Sequence, residues 1–218
     1  MALLNQQEQS QVAETITYIE RQTDAELVTV LARQADDYTY IPLLWASVLA
    51  LLLPSAVNYF PQWLNVHQLI LCQWGVFILL AILFRLPKIQ TRLIPRAVRH
   101  WRASNLARRQ FLEQNLHHTH GETGMLIFVS EAERYVEILV DRGISAKIPD
   151  SHWQAIVSLF TARVAKGETA QGFIECIEAC GKELQRELPA SREKNELPNH
   201  LIFWISGVRA HPNIRRNR

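Results

Sequence analysis

Residues 38–84 contain no Lys, Arg, Asp or Glu, although the whole chain of 218 residues carries 23 Lys and Arg and 21 Asp and Glu. So long an uncharged apolar stretch is a membrane signature. A spanning helix needs roughly 20 apolar residues to cross a hydrocarbon core about 30 Å thick, which makes this stretch too long for one span and suitable for two. The first candidate span is Ile41 to Tyr59 and the second is His67 to Leu86. Between them, Asn58 to Asn65 combines two Asn, Pro61 and the aromatics Tyr59, Phe60 and Trp63, which suits a tight turn at a headgroup interface. The expectation is a transmembrane helical hairpin. Pro54 is expected to kink or end the first helix near the outer interface, which lipid-embedded helices tolerate. The competing reading is an apolar hairpin buried in a soluble protein. Met1 to Leu31 lacks the basic and apolar regions of a cleavable signal peptide.

The flanks predict an orientation. Eight Lys and Arg lie between Arg85 and Arg109, ahead of the first acid, Glu113, while the connecting turn has none. By the positive-inside rule the basic end stays cytoplasmic. A hairpin returns the chain to the side it left, so the segments before and after it can build one cytoplasmic domain. The formal net charge of +2 hides this asymmetry. The basic stripe reads first as a topology determinant and an anionic-lipid contact. Arg92, Arg96, Arg99 and Arg102 would share one helix face, either along the membrane surface or simply in solvent. Nucleic acid is not expected as a partner.

Outside the hairpin, helix and strand alternate. Asn5 and Glu8 resemble a capping box, followed by Val12, Ile16 and Ile19 at helical spacing, which predicts a helix over residues 5–21. Glu26 to Ala32 has the apolar, β-branched continuity of a buried strand. After the hairpin a helix is expected from Arg96 to about Leu116. Strands are then expected at Met125 to Val129 and Tyr135 to Val140, joined by the polar connector Ser130 to Arg134. Asp150 is expected to cap a helix that ends at Gly167, and another should run from Thr169 to Leu188. A mixed sheet with helices on both faces is the natural packing. The apolar run Leu201 to Ile205 is too short to span a bilayer, and a surface-lying tail or a disordered terminus are the alternatives for it.

The chain resembles the TPM domain family, and specifically its bacterial membrane subfamily, in which a transmembrane hairpin interrupts the domain. The resemblance rests on Leu4 with Glu8, the run Ile19 to Val30, and Asp36-Asp37-Tyr38. It continues through Phe111, Thr119, Gly124 to Ile138, Asp141-Arg142-Gly143-Ile144, Gly167-Glu168 with Gly172, and Asn195 to Asn199. It covers most of residues 3–200. It implies an α/β fold, an α/β/α sandwich with a small mixed sheet, interrupted by the two-helix hairpin. The corresponding divisions are residues 1–38 and 87–190 for the two parts of the domain, 39–86 for the hairpin and 191–218 for a C-terminal tail. A bacterial inner membrane is the implied location, with the globular domain cytoplasmic. Family members include proteins of photosystem repair with phosphatase activity, an auxiliary subunit of a receptor channel, and many bacterial proteins without an assigned role. Fold alone does not choose among these.

Two groups of acids are candidates for chemistry. If the strands at 26–32 and 124–130 run parallel, their C-terminal ends gather Asp36, Asp37, Ser130, Glu131 and Glu133 at one edge. The oxygens of Asp36, Asp37, Glu131 and Glu133 are candidate ligands for Ca²⁺ or Mg²⁺, and a metal there would clamp a phosphate. The alternative is that they are solvated loop acids with capping roles, since no EF-hand spacing is present. At the opposite edge Asp24 should approach Asp141-Arg142-Gly143, a sequence that also suits a tight turn. His117, His118 and His120 have no second cluster of metal-ligand spacing to join them. Cys176 and Cys180 sit four apart on one helix, too far for an unstrained disulfide. Two functions follow. One is a non-catalytic binding or assembly module whose partners are the lipid bilayer and another membrane protein. The other is a metal-assisted phosphatase acting on phosphomonoesters at the membrane surface, which rests on the family resemblance.

Overall fold

A computed structural model describes residues 4–59, 64–86, 89, 93–191, 201–205 and 208–210. The chain divides into two compact units, one made of Met1–Ala35 with His100–Arg218 and the other of Asp36–Arg99. The first unit is therefore assembled from segments on both sides of the apolar insertion.

Its first helix, α1 (Gln6–Glu20), begins as the sequence predicts. Asn5 accepts from the Glu8 N–H at 2.8 Å, and Glu8 accepts from the Asn5 N–H at 2.6 Å, satisfying two donors that a helix start leaves unpaired. Strand β1 (Glu26–Ala32) is buried along its whole length. It pairs in parallel with β2 (Gly124–Ser130), from Glu26 beside Gly124 to Ala32 beside Ser130. β3 (Tyr135–Val140) returns antiparallel to β2. On the far side of β1 lie β4 (Leu201–Ile205), parallel to it, and β5 (Val208–Ala210), antiparallel to β4. The order across the sheet is β3-β2-β1-β4-β5.

Leu201 to Ile205 is thus a sheet strand, not a surface-lying or disordered tail. A five-residue apolar run has the length of a strand, and β1 offers it a free parallel edge.

Helices cover both faces of the sheet. One face is covered by α1 together with α6 (Asp150–Ala165) and α7 (Thr169–Glu187), which bury Val12, Ile16, Trp153, Phe160, Phe173 and Ile177 against Leu27, Leu31, Met125 and Ile127. Gly181 lets α7 approach α1 closely, because a Cβ there would lie 2.4 Å from the Ile19 side chain. On the other face, Ala103, Leu106 and Ala107 of α4 (Arg96–Glu113) pack against Val28, Val30, Leu126 and Phe128. The predicted end of this helix at Leu116 is a separate 3₁₀ turn, Leu116–His118, entered through Asn115 at a φ of 57°. At the start of α6, Pro149 occupies the cap position in extended conformation and Asp150 lies in the first turn, so the predicted Asp150 cap is displaced by one residue.

The second unit contains α2 (Tyr40–Tyr59) and α3 (Val66–Leu83), packed against each other and each long and apolar enough to cross a membrane. α2 continues through Pro54, where the sequence allowed it to end, and stops at Tyr59. Leu44, Leu51, Leu52, Ile70, Leu79 and Ile82 face outward, and α3 has no buried residue. Several polar side chains bond within the hairpin. Gln73 donates to the Ser55 hydroxyl at 3.1 Å, and Asn58 accepts from the Leu64 N–H at 2.8 Å across the turn. At the base of this unit Tyr38, held at a φ of 51°, is buried with Ile41 and Ile94.

Candidate sites at the two ends of the sheet

The C-terminal ends of β1 and β2 are joined by backbone bonds from the Glu131 N–H to the Ala32 carbonyl and from the Ala132 N–H to the Arg33 carbonyl. This clasp positions Glu133, which is only 2% exposed. Both of its carboxylate oxygens accept from the Ala35 N–H at 3.2 Å, and one also accepts from the Ser130 hydroxyl. Such charge-assisted bonds to backbone donors compensate the carboxylate for its lost hydration. Glu131 is exposed on the same turn.

Asp36 and Asp37 belong to the other unit, at its first residues. An Asp36 oxygen accepts from the Tyr38 N–H at 3.3 Å and steadies the left-handed turn that leads into α2. Among the described residues there is no group of three or more His, Cys, Asp or Glu able to hold a metal ion.

The opposite end of the sheet is held by Asp24. Its carboxylate accepts from the Ser191 N–H at 2.9 Å and from the Ser191 hydroxyl at 2.5 Å, while its own N–H donates to the Leu188 carbonyl at 3.1 Å. Thr23 adds a bond to the same carbonyl at 2.7 Å. The start of β1 is thereby tied to the chain leaving α7. Asp141 accepts from the Arg142 N–H at 2.8 Å and caps α5 (Arg142–Ser145). At Gly143 the chain passes so close to Gly121 that a Cβ would sit 2.0 Å from its carbonyl oxygen, so the glycine is required by packing.

One group at this end is not legible from sequence pattern. Glu20, the last residue of α1, accepts from the Leu27 N–H at 3.0 Å through one oxygen, while the other oxygen is buried without a hydrogen-bond partner among the described residues. Burial pushes its carboxyl up to about 8, the Leu27 bond opposes that rise, and the nearby Glu26 carboxylate adds to it. A signal exists only in hindsight: a Glu at a helix C-terminus, unfavourable to the dipole, followed six residues later by Glu26 at a buried strand start.

The remaining candidates have structural surroundings. His117 and His118 lie with ring centroids 4.0 Å apart and planes tilted by 45° at the 3₁₀ turn. Cys176 and Cys180 are buried free thiols, as their spacing predicts. The adjacent Cys176 thiol and burial together push the Cys180 thiol well up, away from the reactive thiolate form.

Residues 95–183 match the family model of the TPM domain. That span begins beyond the apolar hairpin and takes in β2, β3, α6 and most of α7. No curated protein sequence matches the chain. Among solved structures, the chain is similar to the NMR structure of BA42 protein from the psychrophilic bacterium Bizionia argentinensis. The TM-score is 0.58 at 16% identity, covering 92% of this chain and 94% of that one. A likeness at that identity speaks for a shared fold.

Proposed function

We propose that the protein is a membrane-anchored TPM-domain module that binds or helps assemble another membrane protein at the cytoplasmic face. The observation that carries this reading is the outward apolar surface of α2 and α3, which water would not tolerate and lipid requires. The hairpin spans the bilayer with its turn on the far side. The basic stretch after α3 keeps both flanking segments cytoplasmic, and these combine into an α/β/α sandwich. The acids at the ends of the sheet support binding over catalysis: Glu133 and Asp24 clasp the backbone and Asp141 caps a helix.

The test is a phosphomonoester assay on the full chain in detergent micelles, using p-nitrophenyl phosphate with and without Ca²⁺ or Mg²⁺. Hydrolysis should stay at the buffer rate in all conditions. Metal-dependent turnover that disappears in the double variant Asp36→Asn, Asp37→Asn would instead make Asp36 and Asp37 divalent-cation ligands and the protein a phosphatase.

A further inference from the structure

Among the described residues β3 is an edge strand of the sheet. The Asp141 N–H donates to the Gly124 carbonyl at 2.9 Å, which sets the alternation of the ladder. By that alternation Val136, Ile138 and Val140 direct their N–H and C=O groups away from β2. Natural edges are guarded by Lys, Pro or bulges, yet Tyr135 to Val140 contains none of these and only one charge, Glu137.

The two faces beside this edge are unlike each other. On one, a groove of about 740 Å³ opens between β3 and α6, with Trp153, Gln154 and Val157 in its wall. Trp153 is only 3% exposed, and its indole Nε1 has no hydrogen-bond partner among the described residues. The groove lining includes the acid Asp150 and, among the described residues, no Lys or Arg. On the other face the Glu137 Oε1 accepts from the Ser104 hydroxyl of α4 at 3.3 Å, and the same carboxylate interacts with the Tyr135 hydroxyl. The single acid of the strand therefore lies on the α4 face, and the apolar groove on the other.

We infer that this edge binds an extended peptide of alternating apolar and basic residues, added to the sheet beside β3. Backbone bonds to Val136, Ile138 and Val140 supply the pairing. Residues of the added strand opposite these three send their apolar side chains into the groove over Trp153. The intervening side chains fall on the α4 face, where a Lys or Arg meets the Glu137 carboxylate. The inference rests on the reading of the domain as a binding module and names its surface and ligand chemistry.

The experiment uses the full chain in detergent micelles and two capped hexapeptides, one alternating Val and Lys and the other Val and Ser. Calorimetric titration gives affinity, and amide hydrogen exchange reports on Val136, Ile138 and Val140. The Val-Lys peptide should bind and protect all three amides. Glu137→Gln should weaken that peptide by about tenfold and leave the Val-Ser peptide unchanged. Ile138→Pro removes an outward N–H at a place where edge strands accept proline, and should abolish binding of both. The exchange measurement on the unaltered protein needs no variant to fold. Absence of binding at millimolar peptide, binding without protection of the three amides, or a dimer of this chain that occupies the edge and excludes the peptide would overturn the site. Metal-dependent phosphomonoester hydrolysis would overturn the module reading itself, which separates the two failures.

Discussion

Deletion of residues 1–37 abolishes the cooperative thermal transition of the remaining chain. β1 lies between β2 and β4 and is buried over all seven of its residues, so its removal leaves two strands without their shared neighbour. The same deletion removes Val12, Ile16 and Ile19, which cover one face of the sheet beside α7. The lost burial is on the order of 10 kcal/mol, comparable with the entire stability of an ordinary domain. The deletion protein in detergent should melt gradually by near-ultraviolet circular dichroism. A sharp transition near that of the full chain would contradict the sheet order.

Glu20→Gln makes the protein more stable at alkaline pH by roughly 3 kcal/mol, once the partial solvent access of the carboxyl is counted. In the folded protein Glu20 holds its proton up to about pH 8, whereas the unfolded chain releases it near the ordinary value of 4.5. Between those values the unfolded state binds fewer protons, so the contribution of this group falls as pH rises and levels off above about 8. Gln keeps an oxygen for the Leu27 N–H and has no charge to desolvate. Denaturant unfolding at pH 5 and pH 9 should show the variant and the unaltered protein diverging as pH rises. Parallel stability profiles would show that Glu20 is not the group responsible.

The parts of the fold that were legible in the sequence are those whose burial is local or continuous. The uncharged run marked α2 and α3 to within a few residues, and the Asn5 and Glu8 pair marked the start of α1. The unbroken apolar character of β1 and β2 told of parallel strands covered on both faces. β4 was not legible, because its five residues acquire meaning only from β1, far away in the chain. The candidate sites divide in the same way. Topology was enough to assign acids to the two ends of the sheet, but not to show which bonds each makes. Glu133 has the setting of an exposed turn residue and is buried because the Ala35 N–H reaches it. Glu20 occupies a position that helical periodicity leaves at the margin of the core, and its environment is set by β1 and Glu26.

The central claim is that one hairpin crosses the membrane and both flanking segments close a single domain on the cytoplasmic side. Labelling with a membrane-impermeant maleimide tests it most directly, in intact cells expressing Asn65→Cys or Asn195→Cys variants in a Cys72→Ala background. Asn65→Cys should label from outside, and Asn195→Cys only after permeabilisation. Labelling of Asn195→Cys in intact cells, or protection of Asn65→Cys until the membrane is opened, would contradict the account.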